Sequence, residues 1–373
     1  MKEKTKNTKT KDKTFIKKFL ISVTVLLLLI AGLVIIFDPF YHYHKPLPFL
    51  KAVLNDKEYQ CVGTLRHFDY DAALVGSSVV ENNDNDWYNE AYNCNTIKAV
   101  RSYGATADLC YLLDEAFSSG NKIDHVFYNI DPSSLSASSE TTYKSTGCPM
   151  YLYDHNPFND VMYLFNKGVI FEKIPYLIVN SLFTDYDESL SYNWAKWKTF
   201  NQANALGLYN RTLEVSEMMD EKAYEEELLA NIDLLTRQVE NHPDTQFHFF
   251  FPAYSMLWWD GIYRTGERDA YIYNEKQMVK ALLSYDNAEV FCFQNEPMVI
   301  TNLENYLDSI HFSPEINKLM LDQMVRGEYR LTTENYEEEL DKMKDFTEKI
   351  VNELIKPYEE QDLLTYEQPP EDE

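Results

Sequence analysis

Residues 70–83, YDAALVGSSVVENN, decide how the rest of the chain is read. The apolar run 72–75 has the length of a strand, stops at Gly76-Ser77-Ser78 and resumes with helix-compatible residues. A run closed in this way reads as a buried strand feeding a tight turn. Such a turn holds a serine at the carboxyl edge of a sheet, where open α/β sheets collect ligands and chemistry, so the serine is a candidate nucleophile. Gly-Ser-Ser is also ordinary turn punctuation, and taken alone the segment is better read as a turn without chemistry.

Working outward, the strand-and-helix alternation recurs. Residues 96–103 read as a second strand ending at Gly104, 105–118 as a helix stopped by Gly120, and 125–130 as a third strand broken at Asp131-Pro132. The strand-to-loop junctions thus carry Ser78, Gly104 and Asn129 or Asp131. Phe247 to Phe251, followed by the turn Pro252-Ala253-Tyr254-Ser255, make a fourth strand, and residues 290–293 a short fifth. Residues 82–92 read as a short helix or a loop, and helices are expected at 220–240 and 268–285, after the cap-like Ser313-Pro314-Glu315, and over 335–356. Strands alternating with helices imply an α/β fold, a mainly parallel five-stranded sheet with helices on both faces. Residues 133–218 fit the pattern poorly. They read as an aromatic-rich insertion over the sheet edge, whose Tyr and Trp side chains form the core of a small cap or, alternatively, stack on sugar rings. The acidic residues 357–373 read as a disordered tail.

Upstream, residues 1–18 are a lysine-rich leader and residues 19–37, FLISVTVLLLLIAGLVIIF, carry no charge. Nineteen residues of helix, at about 1.5 Å each, cover about 30 Å of hydrocarbon. The run ends in bulky Ile35-Ile36-Phe37 rather than a small-residue cleavage site, which favours an uncleaved anchor over a signal peptide. Lysines on the amino side and acids on the carboxyl side place the leader in the cytoplasm and residues 38–373 outside, with 38–356 as one domain, at the cell membrane. The aromatic stretch through His42 and His44 reads as an interfacial collar. These two histidines lack further ligands at suitable spacing, so no metal is expected.

Net charge is −26 over 373 residues. The leader has eight lysines against Glu3 and Asp12, or +6, leaving −26 − 6 = −32 on residues 19–373. So acidic a body repels a phosphate backbone, which sets nucleic acid aside as a partner. The five cysteines, Cys61, Cys94, Cys110, Cys148 and Cys292, have no paired spacing, so neither a zinc site nor a complete disulfide framework is indicated. No histidine is patterned near Cys94 or Cys110 as a thiol base.

Residues 302–314, NLENYLDSIHFSP, follow the last parallel strand and place Asp308 three residues before His311. A carboxylate at that spacing can hold an imidazole Nδ1, fix its tautomer, and stabilise the imidazolium formed when Nε2 takes a proton from a serine. Ser78 after the first strand and Asp308-x-x-His311 after the last would emerge at one edge of a parallel sheet.

With this order the sequence resembles the SGNH, or GDSL-type, hydrolase superfamily, in particular its membrane-anchored branch of teichoic-acid D-alanyl transfer and polysaccharide O-acetylation proteins. The resemblance spans residues 72–325 apart from the insertion, on short motifs. It implies a flavodoxin-like three-layer α/β/α sandwich with Ser78 as nucleophile, His311 as base and Asp308 as its partner. It further implies Gly104 as an oxyanion donor, with Asn129 as the second; Tyr254, in the turn after the fourth strand, is a candidate substrate contact. The family's Gly-x-Asn-Asp block is replaced here by YNIDPSS, which puts Asn129 in question. The implied activity is ester hydrolysis or O-acyl transfer on a cell-envelope polymer, fed by an acyl donor, beside a membrane-bound O-acyltransferase and without a cofactor. The competing reading is a non-catalytic, glycan-binding envelope scaffold.

Overall fold

The computed structural model describes residues 2–366, with side chains from residue 13 onward. The chain forms two compact units, one made of the residues up to Val53 together with Pro149–Glu188, the other of Leu54–Cys148 and everything from Ser189 on.

The second unit holds a sheet built from β1 (Ala72–Gly76), β2 (Thr96–Val100), β3 (His125–Asn129), β4 (Gln246–Phe251) and β5 (Ala288–Cys292). These five run parallel in the order β2-β1-β3-β4-β5. A sixth strand, β6 (Arg330–Leu331), adds antiparallel to β5, so the sheet has six strands where five were expected. Two residues are too few to show an alternating pattern. Every residue of β1 and β2 is buried, as in strands covered on both faces of a parallel sheet, and in β2 this includes the polar Thr96 and Lys98.

The strand order reverses at β1 and β3, whose carboxyl ends are therefore where a crevice opens. Gly76 closes β1 because a Cβ there would stand 2.8 Å from the Cβ of Asn129 at the end of β3. The second strand stops at Val100, short of the expected 103, since Tyr103 adopts a left-handed backbone (φ 52°) and turns the chain.

Helices fall close to expectation at Asn85–Tyr92, Thr106–Ser118, Glu225–Asn241, Arg268–Leu282, Pro314–Val325 and Tyr336–Lys349. Ser313 does not cap its helix through its hydroxyl; its N–H donates to the Asn305 carbonyl instead. The helix Met256–Arg264 was not anticipated, although Ser255 caps it through its hydroxyl. Part of the tail expected to be disordered is ordered. Thr365–Tyr366 pairs with Asn210–Arg211, and Arg211 is held by Asp260 at 2.7 and 3.0 Å and by Glu359 at 3.3 Å. Residues 367–373 of that tail lie outside the described residues.

Lys98 on β2 is fully buried, and its ammonium donates to the carbonyls of Glu81, Asn83 and Ser191 at 2.8, 2.7 and 2.6 Å. One side chain thereby ties the segment after the Ser turn to the segment that carries Trp194.

The first unit contains the helix Lys2–Phe37, of which Lys13–Phe37 is long and apolar enough to cross a membrane. Just past its end, buried Asp38 accepts N–H groups of His42, Tyr43 and His44 at 3.1, 2.7 and 3.1 Å and the Tyr163 hydroxyl at 2.7 Å. Burial raises the Asp38 pKa, and these four donors pull against it. The stretch read as one insertion, 133–218, is divided: only Pro149–Glu188 belongs to this unit, and the rest belongs with the sheet.

Candidate active site

Ser78 stands in the turn after β1, where the Val80 N–H closes back on the Ser77 carbonyl at 3.2 Å. Its neighbours Ser77, Val79 and Val80 are buried, which fixes the turn from beneath, while Ser78 itself remains partly accessible. The loop after β5 is held just as firmly. Tyr306 donates its hydroxyl to the Ala253 carbonyl at 2.7 Å, Ser255 donates its own to the Ser309 carbonyl at 2.8 Å, and Leu307 N–H bonds to the His311 carbonyl at 2.9 Å.

The two loops meet, 233 residues apart in the chain, with Ser78 Oγ 2.7 Å from His311 Nε2. On the other side of the ring, Nδ1 lies 2.7 Å from Asp308 Oδ2. The remaining Asp308 oxygen, Oδ1, accepts the backbone N–H groups of Ile310 and His311 at 2.9 and 2.8 Å. The three-residue spacing thus works through an Asx-type turn rather than a helical turn. Burial pushes the Asp308 pKa up, but the His311 hydrogen bond and charge, with the two backbone donors, bring it below its ordinary value. It is a carboxylate at neutral pH.

Trp194 supports the ring from a third direction. Its indole packs edge-on to His311 at 5.2 Å and 88°, and its Nε1–H donates to the Ser78 carbonyl at 3.3 Å. Beside Ser78 lies a cavity of about 240 Å³ lined by Tyr103, Gly104, Asp131, Ser134, Thr142, Tyr254 and Ile310, among others.

The other residues singled out in the sequence fall differently. Gly104 lines the cavity, but its N–H donates to the Arg101 carbonyl at 3.2 Å. A Cβ on Gly104 would stand 3.0 Å from the Arg101 Cβ and 3.1 Å from its carbonyl oxygen, so a larger residue here would press on Arg101. Asn129 is fully buried, does not line the cavity, and gives its amide to Asp131 Oδ1 at 2.7 Å. The structure does not bring it to Ser78 as a free donor. Tyr254 does line the cavity, with its hydroxyl donating to the same Asp131 oxygen. By contrast, the Ser78 N–H makes no hydrogen bond among the described residues.

Asp131, which the sequence places at the third strand-to-loop junction without giving it a role, lines the site. It is buried at the cavity, and that burial raises its pKa against the pull of the Ser77 hydroxyl, the Tyr254 hydroxyl, the Asn129 amide and the charge of His311. Its signal was its place at the third strand-to-loop junction. Trp194 had no comparable signal, being one aromatic among many in an irregular stretch.

Among the described residues no group of three or more His, Cys, Asp or Glu side chains could hold a metal ion. His42 Nε2 instead meets Asp160 at 3.3 Å, and His44 Nε2 meets the Ile35 carbonyl at 2.7 Å. No protein-family model matches this chain, and no curated protein matches it either.

Proposed function

We propose that this chain is a membrane-anchored, extracytoplasmic serine esterase or O-acyltransferase of the SGNH, or GDSL, type. The observation that carries the reading is the continuous relay Ser78 Oγ to His311 Nε2 and His311 Nδ1 to Asp308, with 2.7 Å at each step. The parallel strand order, reversing at β1 and β3, supports a flavodoxin-like three-layer sandwich with the site at its switch point.

His311 takes the Ser78 proton on Nε2 as Oγ attacks an acyl carbonyl, and Asp308 holds the Nδ1–H and balances the charge of the imidazolium. The Ser78 N–H, which no carbonyl of the turn occupies, supplies an oxyanion contact worth about 3 kcal/mol. Gly104 contributes a second only by giving up its bond to Arg101. His311 then returns the proton to the departing alkoxide, leaving an acyl-Ser78 ester. Attack by water completes hydrolysis, and attack by a sugar or polyol hydroxyl completes transfer.

A cavity of about 240 Å³ suits a short acyl group better than a drug-sized ligand, for which pockets start near about 300 Å³. Tyr103 at its rim is 90% exposed, a flat aromatic face suited to a sugar ring. Both favour an O-acyl group on a cell-envelope polysaccharide or teichoic-acid-like polymer. The apolar helix Lys13–Phe37, with lysines before it and acids after, supports an anchor whose amino end is cytoplasmic. A membrane-bound O-acyltransferase is a fitting source of the acyl group.

Fluorophosphonate labelling of the detergent-solubilised full chain tests the proposal. Labelling of the wild type is expected to vanish in Ser78→Ala and to fall strongly in His311→Ala. Folded wild-type protein that takes up no label would instead favour a glycan-binding scaffold.

A further inference from the structure

The anchor helix does not end in a plain tether. Its last residue, Phe37, packs with Leu47 and Tyr186 against a small core of Leu50, Val53 and Leu177. Leu177 belongs to the helix Ile174–Phe183, IPYLIVNSLF, which continues directly from the helical turn Val169–Lys173. One face of Ile174–Phe183 is therefore committed to the end of the anchor: Ile174, Leu177 and Ser181 are buried.

The opposite face is just as apolar and has nothing over it. Tyr176, Val179, Leu182 and Phe183 are exposed, Phe183 by 76%, and so is Phe171 one turn earlier, by 76%. A helix that is apolar all round belongs in a core or in lipid, and here only one side finds a core. The same holds nearer the anchor. Tyr163 is buried against Phe40, its ring stacked at 5.3 Å, while its neighbours Val161, Met162 and Phe165 face outward and Phe158 is 87% exposed. Contiguous exposed apolar surface of this kind marks an interaction site.

Charge separates this stretch from the rest of the chain. Residues 157–183 carry Asp160 and Glu172 against Lys167 and Lys173, a net of 2 − 2 = 0 in a chain of −26. It is not repelled by anionic headgroups as the acidic remainder is. Lys167 is exposed and able to reach the headgroup layer while its stem lies along apolar surface.

We infer that residues 158–183 form a second membrane contact, lying in the outer-leaflet interface of a phospholipid bilayer beside the end of the anchor. The inference rests on reading Lys13–Phe37 as a membrane span. Its occupant is lipid because the patch is continuous, through Phe37 and Tyr163, with the segment that enters the bilayer. The element fixes how the first unit rides on the membrane instead of leaving it on a swivel.

The test uses the full chain with a photoreactive benzoylphenylalanine at one position at a time, reconstituted in vesicles of phosphatidylglycerol and phosphatidylethanolamine. Light-dependent lipid adducts are counted by mass spectrometry. Positions 171 and 183 are expected to give at least about ten times the lipid adduct seen at exposed Tyr103, and position 27 within the anchor to give adducts as well. Adducts at position 27 alone overturn the inference and leave the anchor standing. No adduct at position 27 removes the anchor, and this inference with it. Adducts from 171 and 183 to protein rather than lipid, in native membranes, overturn the choice of partner.

Discussion

Asparagine at position 308 strikes the relay where it is least replaceable. Asp308 uses both of its oxygens, Oδ1 for the N–H groups of Ile310 and His311 and Oδ2 for His311 Nδ1. An asparagine has one acceptor, which the two backbone donors claim, so its NH₂ faces Nδ1. A donor there forces the ring proton onto Nε2, the atom that must accept from Ser78. The Asp308 and His311 side chains are 24% and 18% exposed, so an effective dielectric of about 20 applies and loss of a charge pair about 4 Å apart costs about 4 kcal/mol. That alone is about three decades of rate. The wrong tautomer takes the expected loss to about 10⁴-fold, the size known for an acid-to-amide change in a serine relay.

The assay is the second-order rate constant for fluorophosphonate labelling of Ser78, with Ser78→Ala as zero and near-ultraviolet circular dichroism as the folding control. The folded-state pKa of Asp308 is depressed, so its contribution to stability is present above the unfolded value of about 3.9 and is lost as the pH falls through the folded one. The carboxylate is therefore intact throughout the neutral range, and acid cannot explain a loss measured there. Asp308→Asn protein labelling within about tenfold of wild type would refute the relay.

Three further outcomes follow from the packing. Glu275 is buried with its Oε1 on the Gln294 amide and Oε2 unpartnered, and burial pushes its pKa up to about 8. A raised acid stabilises fully below its unfolded pKa and loses that contribution as the pH rises through about 8. Glu275→Gln should raise Tm by about 3 °C or more at alkaline pH, a gap that narrows toward pH 5 in differential scanning fluorimetry. Gly76→Ala puts a Cβ 2.8 Å from the Asn129 Cβ, and should cost about 1–3 kcal/mol in urea denaturation while slowing Ser78 labelling. Lys98→Met strands three buried carbonyls and should cost about 3 kcal/mol or more, with slower labelling because Ser191, three residues before Trp194, loses its tie to the segment after the Ser78 turn.

Much of the arrangement could be read without knowing the strand order. In a sheet of parallel strands joined by helices every carboxyl end lies at one edge, so the Ser78 turn, the Asp131 junction and the loop holding Asp308 and His311 had to emerge together. What could not be read was which backbone groups remain available at that edge. Gly104 and Asn129 were expected as oxyanion donors, yet one N–H goes to the Arg101 carbonyl and the other residue's amide to Asp131. Hydrogen bonds of this kind depend on how a turn closes, and residue type leaves that open. Asp131 could be placed at that edge but not given a role, for the related reason that a carboxylate after a strand is usually solvated. Only the packing of Tyr254 and Asn129 around it makes it a buried group.

Within the aromatic stretch 133–218, aromatic content records a capacity for burial and not the partner that provides it. Tyr163 and Phe171 are eight residues apart and similar in size, yet the first is buried on Phe40 and Asp38 while the second is 76% exposed. Trp194, in the part that belongs with the sheet, closes against His311. The same composition therefore builds a core beside the anchor, a wall of the site, and an uncovered apolar face. If that face meets lipid, the neutral segment 157–183, which interrupts the sheet-bearing unit in sequence, gives the chain a second attachment to the membrane. Charge reversal of Lys167 and Lys173 to Glu adds −4 to a neutral segment and should shift the photoadduct yield at position 171 down severalfold in anionic vesicles but little in zwitterionic ones. Equal loss in both would mean that the substitutions disturb the helix itself and not its approach to headgroups.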